Sequence, residues 1–264
     1  MNVIEIKNLR KIYNEKTVPV NAVNDVSLSF KAKEFTAIVG ASGSGKTTLL
    51  NLIGGIDTPT SGNVFINGKN VSELSENKMT QFRRDNIGFV FQQYNLLPVL
   101  TAKENVEFIM ELQKKPKEER EKRVTVLLTE IGLADKINER PAKLSGGQQQ
   151  RVAVARALAH KPTFVIADEP TANLDSKSTA DLLNIMEELN QKEGTTFIFS
   201  THDQRVVDRA KRVIVFADGK VISDTSKWKM RNSNLIIILL LFPSLGLFAQ
   251  NENINPTDTI DVEQ

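Results

Sequence analysis

The chain is 264 residues long and 40% hydrophobic, enough to bury one substantial core with a smaller satellite subdomain and too short for two full domains. Its 34 Lys and Arg against 32 Asp and Glu leave a formal charge of +2, which excludes the global basic field of a dedicated nucleic-acid binder. With no cysteine there is no disulfide framework and no thiolate metal site, as suits a reducing compartment.

The opening MNVIEIKNLRKIY alternates apolar and polar residues like a strand and carries no signal peptide, so the first part of the chain is expected in the cytosol. Further strands are predicted at Val26 to Phe30, Phe35 to Val39, Asn63 to Ile66, Ile87 to Phe91, Phe164 to Ala167, Thr196 to Ser200, Val213 to Phe216 and Lys220 to Ser223. TFVIA and TFIFS, ending at Ala167 and Ser200, are almost wholly apolar, as in parallel strands covered on both faces. Ser176 to Asn190, between them, has helical spacing, so a right-handed crossover and an α/β core follow.

Thr101 to Ala159 is rich in Glu, Lys, Leu and Gln and is bounded for the most part by Pro98 and Pro141. It predicts a helical subdomain inserted at about 95–160. Within it KKPKEEREKR, Lys114 to Arg123, interleaves acids and bases at helical spacing and reads as a solvated helix face.

Residues 227–264 break the pattern. Basic residues precede an apolar block of 14 residues, Leu235 to Phe248, interrupted by Pro243. Residues 227–250 therefore have the layout of a secretory signal peptide, and 251–264 form a polar tail whose only charges are acidic. The block is short for a membrane helix. Three readings stay open: the start of a neighbouring secreted protein fused here, with Met230 as its initiator, a membrane anchor, or a disordered tail.

Directly after the Phe35 to Val39 strand stands GASGSGKTT, Gly40 to Thr48, matching the phosphate-loop pattern GxxxxGK[ST] in its strand-to-helix setting. Glycines let several backbone N–H groups converge on phosphates, and the following helix, rich in Leu49, Leu50, Leu52 and Ile53, offers its positive end. Lys46 adds a point charge, and the Thr47 hydroxyl suits a magnesium shell. TFVIADE sets Asp168 and Glu169 at the end of a buried strand, where open α/β sheets bind ligands. Two adjacent carboxylates there call for a nearby cation; Asp168 suits magnesium and Glu169 suits activation of water.

LSGGQQQRVAVARAL, Leu144 to Leu158, resembles the signature of ATP-binding cassette ATPases, and the other motifs fall in that family's order between Ile4 and about Ser223. Gln92 resembles the Q-loop glutamine, Asn173 to Asp175 the D-loop, and His202 the switch histidine. Tyr13 is placed like the aromatic that stacks on adenine, although alone it reads equally as ordinary packing. One departure is Ala172, where many relatives carry glycine.

The resemblance implies an α/β P-loop NTPase core with an antiparallel β subdomain and the inserted helical subdomain, together filling residues 1–226. It implies that Gly40, Ser42, Gly43, Ser44, Gly45, Lys46, Thr47 and Thr48 bind ATP with Tyr13. It assigns catalysis to Glu169, His202 and Gln92, and Mg2+ to Thr47, Gln92 and Asp168.

Ser145, Gly146, Gly147 and Gln148, before a helix expected from Gln149 to Ala159, make a second anion-binding start with no phosphate partner in its own chain, and Ser145 also reads as the helix cap with the glycines allowing close packing. In the family that start, with Asp175, closes over ATP held by another copy, so a homodimer is implied. The details most resemble the stand-alone ATPases of the lipoprotein-release, macrolide-export and cell-division group. Their partner is a permease with few membrane helices and a large extracytoplasmic domain, which places the ATPase peripherally on the cytoplasmic face of the membrane. A chromosome-maintenance ATPase would need coiled coils or zinc modules between the phosphate loop and the signature, and a translation ATPase would need two cassettes; this chain has neither.

Overall fold

The computed structural model describes residues 2–226. The alternation at the N-terminus makes β1 (Asn2–Tyr13), which pairs antiparallel with β2 (Val20–Lys31), Ile4 opposite Phe30 and Ile6 opposite Leu28. β4 (Ser61–Ile66) joins the other edge of β1, and the short β5 (Lys69–Asn70) completes a four-stranded sheet. β5 is an addition to the expected strands. It returns through Asn67 and Gly68, both at positive φ, the two-residue turn that an Asn-Gly pair favours.

The second sheet has the order β10-β9-β3-β8-β7-β6. β3 (Phe35–Val39), β6 (Ile87–Val90), β7 (Phe164–Asp168), β8 (Thr196–Thr201) and β9 (Arg212–Ala217) run parallel. β10 (Lys220–Ser226) turns back antiparallel at the edge. Successive residues of the central strands enter different cores. Phe164, Ile166 and Ile198 face one cluster with the first sheet and α1 (Lys46–Ile53), whose Leu49, Leu50, Leu52 and Ile53 are buried there. Val165, Ala167, Phe197 and Phe199 face a second cluster built by helices. Burial on both sides explains the unbroken apolar runs.

α2 (Glu76–Asn86) leads into β6. The helical insertion holds α3 (Ala102–Leu112), started by a reciprocal Thr101–Glu104 cap, and α4 (Lys117–Glu130). It also holds α5 (Gly146–Leu158), which buries Val152, Val154, Ala155 and Leu158. α6 (Ser176–Glu193) makes the crossover from β7 to β8 and ends at Gly194, φ 67°; α7 (Gln204–Arg209) precedes β9.

Two expectations need correcting. The glycines of the signature are not ahead of their helix, because α5 begins at Gly146, with Ser145 as its cap, rather than at Gln149. The Lys114 to Arg123 run is also more than a solvated face. Arg120 pairs with Glu107 at 2.7 Å, and Arg123, largely buried, donates to Glu193 at 2.7 Å and to the Leu158 carbonyl at 2.8 Å. Those bonds tie α4 to α3, to the end of α5 and to α6. The 227–264 segment and all three readings of it lie outside the described residues.

Candidate functional site

The phosphate loop leaves β3 through Gly40. A Cβ there would stand 2.0 Å from the Phe216 carbonyl of β9, so only glycine lets the loop lie against that strand. At Gly45, φ 100°, a Cβ would stand 2.1 Å from the Ala22 carbonyl of β2. Gly43, at φ 77°, instead faces open space. The loop is tied from outside by Gly219, whose N–H donates to the Ser44 carbonyl at 3.0 Å. Lys46 is 7% exposed, and its ammonium donates to the carbonyls of Gly40 at 2.8 Å and Ala41 at 2.9 Å, which hold the charge over the loop.

The acidic pair divides its partners. Asp168 accepts from the Thr47 hydroxyl at 3.1 Å and from the Ser200 hydroxyl, so α1, β7 and β8 meet at one carboxylate. Glu169 is turned the other way by a left-handed backbone, φ 46°, rare for a residue with a side chain. Its N–H donates to the Ser200 carbonyl at 3.0 Å. One carboxylate oxygen lies 2.9 Å from His202 Nδ1, and the other is buried without a hydrogen-bond partner among the described residues. The two carboxylates thus face different partners.

Tyr13 is the last residue of β1. Its hydroxyl donates to Asp57 at 2.6 Å, and Lys11 Nζ lies 4.9 Å over its ring while donating to Asp57 at 2.7 Å. Burial, then the bond to Asp57, pushes the phenol up. Burial also pushes the Asp57 carboxyl up, but hydrogen bonds from Lys11 and Tyr13 outweigh it and hold that group below its ordinary value.

Tyr13, Ser42 to Thr48, Gln92, Glu169 and His202 line one cleft of about 1250 Å³, together with Val20 and Ile222. Asp168 sits behind Thr47 rather than on the cleft wall. Oxygen donors of hydroxyl and carboxylate type suit a hard divalent cation. No cluster of three or more His, Cys, Asp or Glu able to hold a metal occurs among the described residues.

The signature residues and Asp175 do not line this cleft. Ser145 accepts from the Gln148 N–H at 3.3 Å, and its own N–H donates to the Gln148 side chain at 2.9 Å. A Cβ at Gly147 would come within 2.8 Å of the Ser178 hydroxyl. Asp175 caps α6, accepting from the N–H and hydroxyl of Ser178, each at 2.8 Å; the backbone bond first, then the hydroxyl, holds its carboxyl below the ordinary range. One chain therefore carries two glycine-lined helix starts, and only one of them opens on Glu169.

Ser200, Asp57 and Lys11 were not expected at the site. Ser200 reaches Asp168 because β7 and β8 pair those two residues directly, a register that periodicity alone cannot supply. Lys11 precedes Tyr13 by two residues on β1, so strand periodicity puts both on one face, whereas Asp57 arrives from the loop between α1 and β4 with no local signal.

The family model for ABC transporters matches residues 23–172. A macrolide export ATP-binding/permease protein of Hyphomonas neptunium is 49% identical over 222 residues, 84% of this chain and 34% of that one. The chain thus spans about a third of that relative's length. An uncharacterized ABC transporter ATP-binding protein of Methanocaldococcus jannaschii is 46% identical over 85% of this chain and 100% of its own. Among solved structures, a dimeric post-hydrolysis state of the ATP-binding cassette MJ0796 bound to ADP and Pi superposes with a TM-score of 0.78 at 42% identity, over 84% of this chain and 98% of that one. The chain belongs to the ABC transporter family, as an ATP-binding and ATP-hydrolysing cassette.

Proposed function

We propose that residues 1–226 form a cassette that closes in pairs around MgATP and drives a membrane permease of the lipoprotein-release or macrolide-export kind. The observation that carries this reading is the separation of the two helix starts. The Gly40 to Thr48 loop shares a cleft with Glu169, while Ser145, Gly146, Gly147 and Gln148 stand outside it. A second copy can supply that missing face, with Asp175 beside it. Binding then depends on nucleotide charge, because a triphosphate bridges two sets of amides and loss of the outer phosphate weakens the bridge.

Within each half-site Tyr13 packs on the base, the amides of Gly40 and of Ser42, Gly43, Ser44, Gly45 and Thr48 take the phosphates, and Lys46 adds its charge. Thr47, Asp168 and the Gln92 amide oxygen suit Mg2+, which supplies neutralisation of phosphate charge when bound. Glu169, oriented by His202, takes the proton of a water whose oxygen bonds to the outer phosphorus as the bridging P–O bond breaks. No helix among the described residues is long and apolar enough to cross a membrane. Exposed Leu97, Val99, Phe108 and Leu112, on and before α3, support docking of a permease near Gln92.

The test is Glu169→Gln. We expect ATP binding to persist, turnover to fall by about two to four orders of magnitude, and the protein to elute as an ATP-loaded dimer. Ordinary turnover in the variant would remove Glu169 from this role.

A further inference from the structure

Gln150 lies on α5 two residues beyond the signature and is fully buried. Its Nε2 donates to the Pro170 carbonyl at 2.7 Å and to the Phe91 carbonyl at 3.4 Å. Pro170 directly follows Glu169, and Phe91 directly precedes Gln92. Because both partners are carbonyl oxygens, only the NH2 end of the amide can face them, which fixes its orientation. Its Oε1 is buried with no partner among the described residues.

The bonds around Gln150 show what it joins. Glu169 is held in a left-handed backbone between its N–H bond to Ser200 at 3.0 Å and its carbonyl's bond from Ala172 at 3.2 Å, so the peptide it shares with Pro170 sets where its carboxylate points. The segment carrying Gln92 is tied to the same helix again by Arg156, which donates to the Tyr94 carbonyl at 2.9 Å. Asn173 adds a bond to the Gln92 carbonyl at 3.0 Å. Gln150 thus bonds the peptide beside Glu169 and the peptide beside Gln92 with one amide group.

We infer that Gln150 is a positioning residue that couples the signature helix to Glu169 and Gln92, so that movement of α5 aligns or misaligns both groups at once. The inference rests on the roles proposed above for Glu169 and Gln92. Gln150 does not line the cleft, so its loss acts on turnover and leaves Tyr13 and Lys46 in place.

The experiment compares the full chain with Gln150→Met, Gln150→Glu and Glu169→Gln, measuring ADP affinity, KM, and kcat normalised to nucleotide-binding sites. Methionine keeps the volume and removes both bonds. We expect kcat to fall about tenfold to a hundredfold, as misplaced groups cost elsewhere, with ADP affinity and KM changed by less than about twofold. Gln150→Glu can donate one bond while protonated, so its kcat falls with rising pH where the parent's does not, as ionisation sets a carboxylate against two carbonyls. A folded, nucleotide-binding Gln150→Met with parental kcat overturns the inference. If that variant does not fold, a parental pH profile in Gln150→Glu overturns it instead. Turnover retained in Glu169→Gln overturns the reading of Glu169 and the coupling with it; an inactive Glu169→Gln beside an unimpaired Gln150→Met overturns the coupling alone.

Discussion

Mild acid should weaken this fold through a single side chain. His160, just past the end of α5, is held far from its ordinary behaviour. Burial lowers it from 6.5 to about 4, against smaller opposing effects of the Ile87 backbone and Asp85. The unfolded chain therefore binds a proton below about pH 6.5 that the folded chain refuses until about pH 4. The contribution is complete above the upper value and is lost as pH falls toward the lower one. Between about pH 7.5 and about pH 5 the linkage relation gives a loss of about 2 kcal/mol. That is a large share of the ~5–15 kcal/mol that holds a typical domain. Urea unfolding at the two pH values measures it, comparing the parent with His160→Leu. The parent should lose about 2 kcal/mol more than the variant over that interval. Equal losses in both proteins would refute the burial argument.

Lys46→Ala removes a charge that two loop carbonyls hold in place, and we expect ATP affinity, measured by calorimetry, to fall by at least about tenfold. Ser145→Arg should leave ATP binding by the single copy intact while abolishing nucleotide-dependent pairing in light scattering. Arg123→Ala strands Glu193, which is itself largely buried, so thermal or urea unfolding should show a loss of about 3 kcal/mol with little change in ADP affinity.

Sequence reading was strongest where one residue pattern answered to one physical demand. The runs ending at Ala167 and Ser200 are apolar throughout because β7 and β8 are covered on both faces, and they were placed to within a residue. The Asn67-Gly68 hairpin was equally legible and was overlooked, since β5 is only two residues long and carries no apolar signal. α2 escaped for a related reason: ENKMTQFRRDN buries only Met79, so no helical stripe marks it. Ser145 was legible as the cap of α5, but the helix was started at Gln149 because glycines suggest loops, whereas Ser145 with Gln148 three residues on is a helix start that tolerates them. At the site, the loop and the acidic pair were visible as motifs, and the structure joins them through Thr47 and Asp168. The contributions of Ser200 and Gln150 were not visible, because each depends on a contact made across the fold.

The absence of cysteine allows a direct test of the paired arrangement, since any introduced thiol is unique. Val18, 76% exposed near the Tyr13 end of the cleft, and Lys143, exposed just before the signature, can each be replaced by cysteine in separate Glu169→Gln preparations. One preparation carries a fluorescent donor and the other an acceptor. On mixing, energy transfer between different copies should appear with MgATP and vanish with ADP. Saturating ATP binding without any transfer between copies would contradict the account.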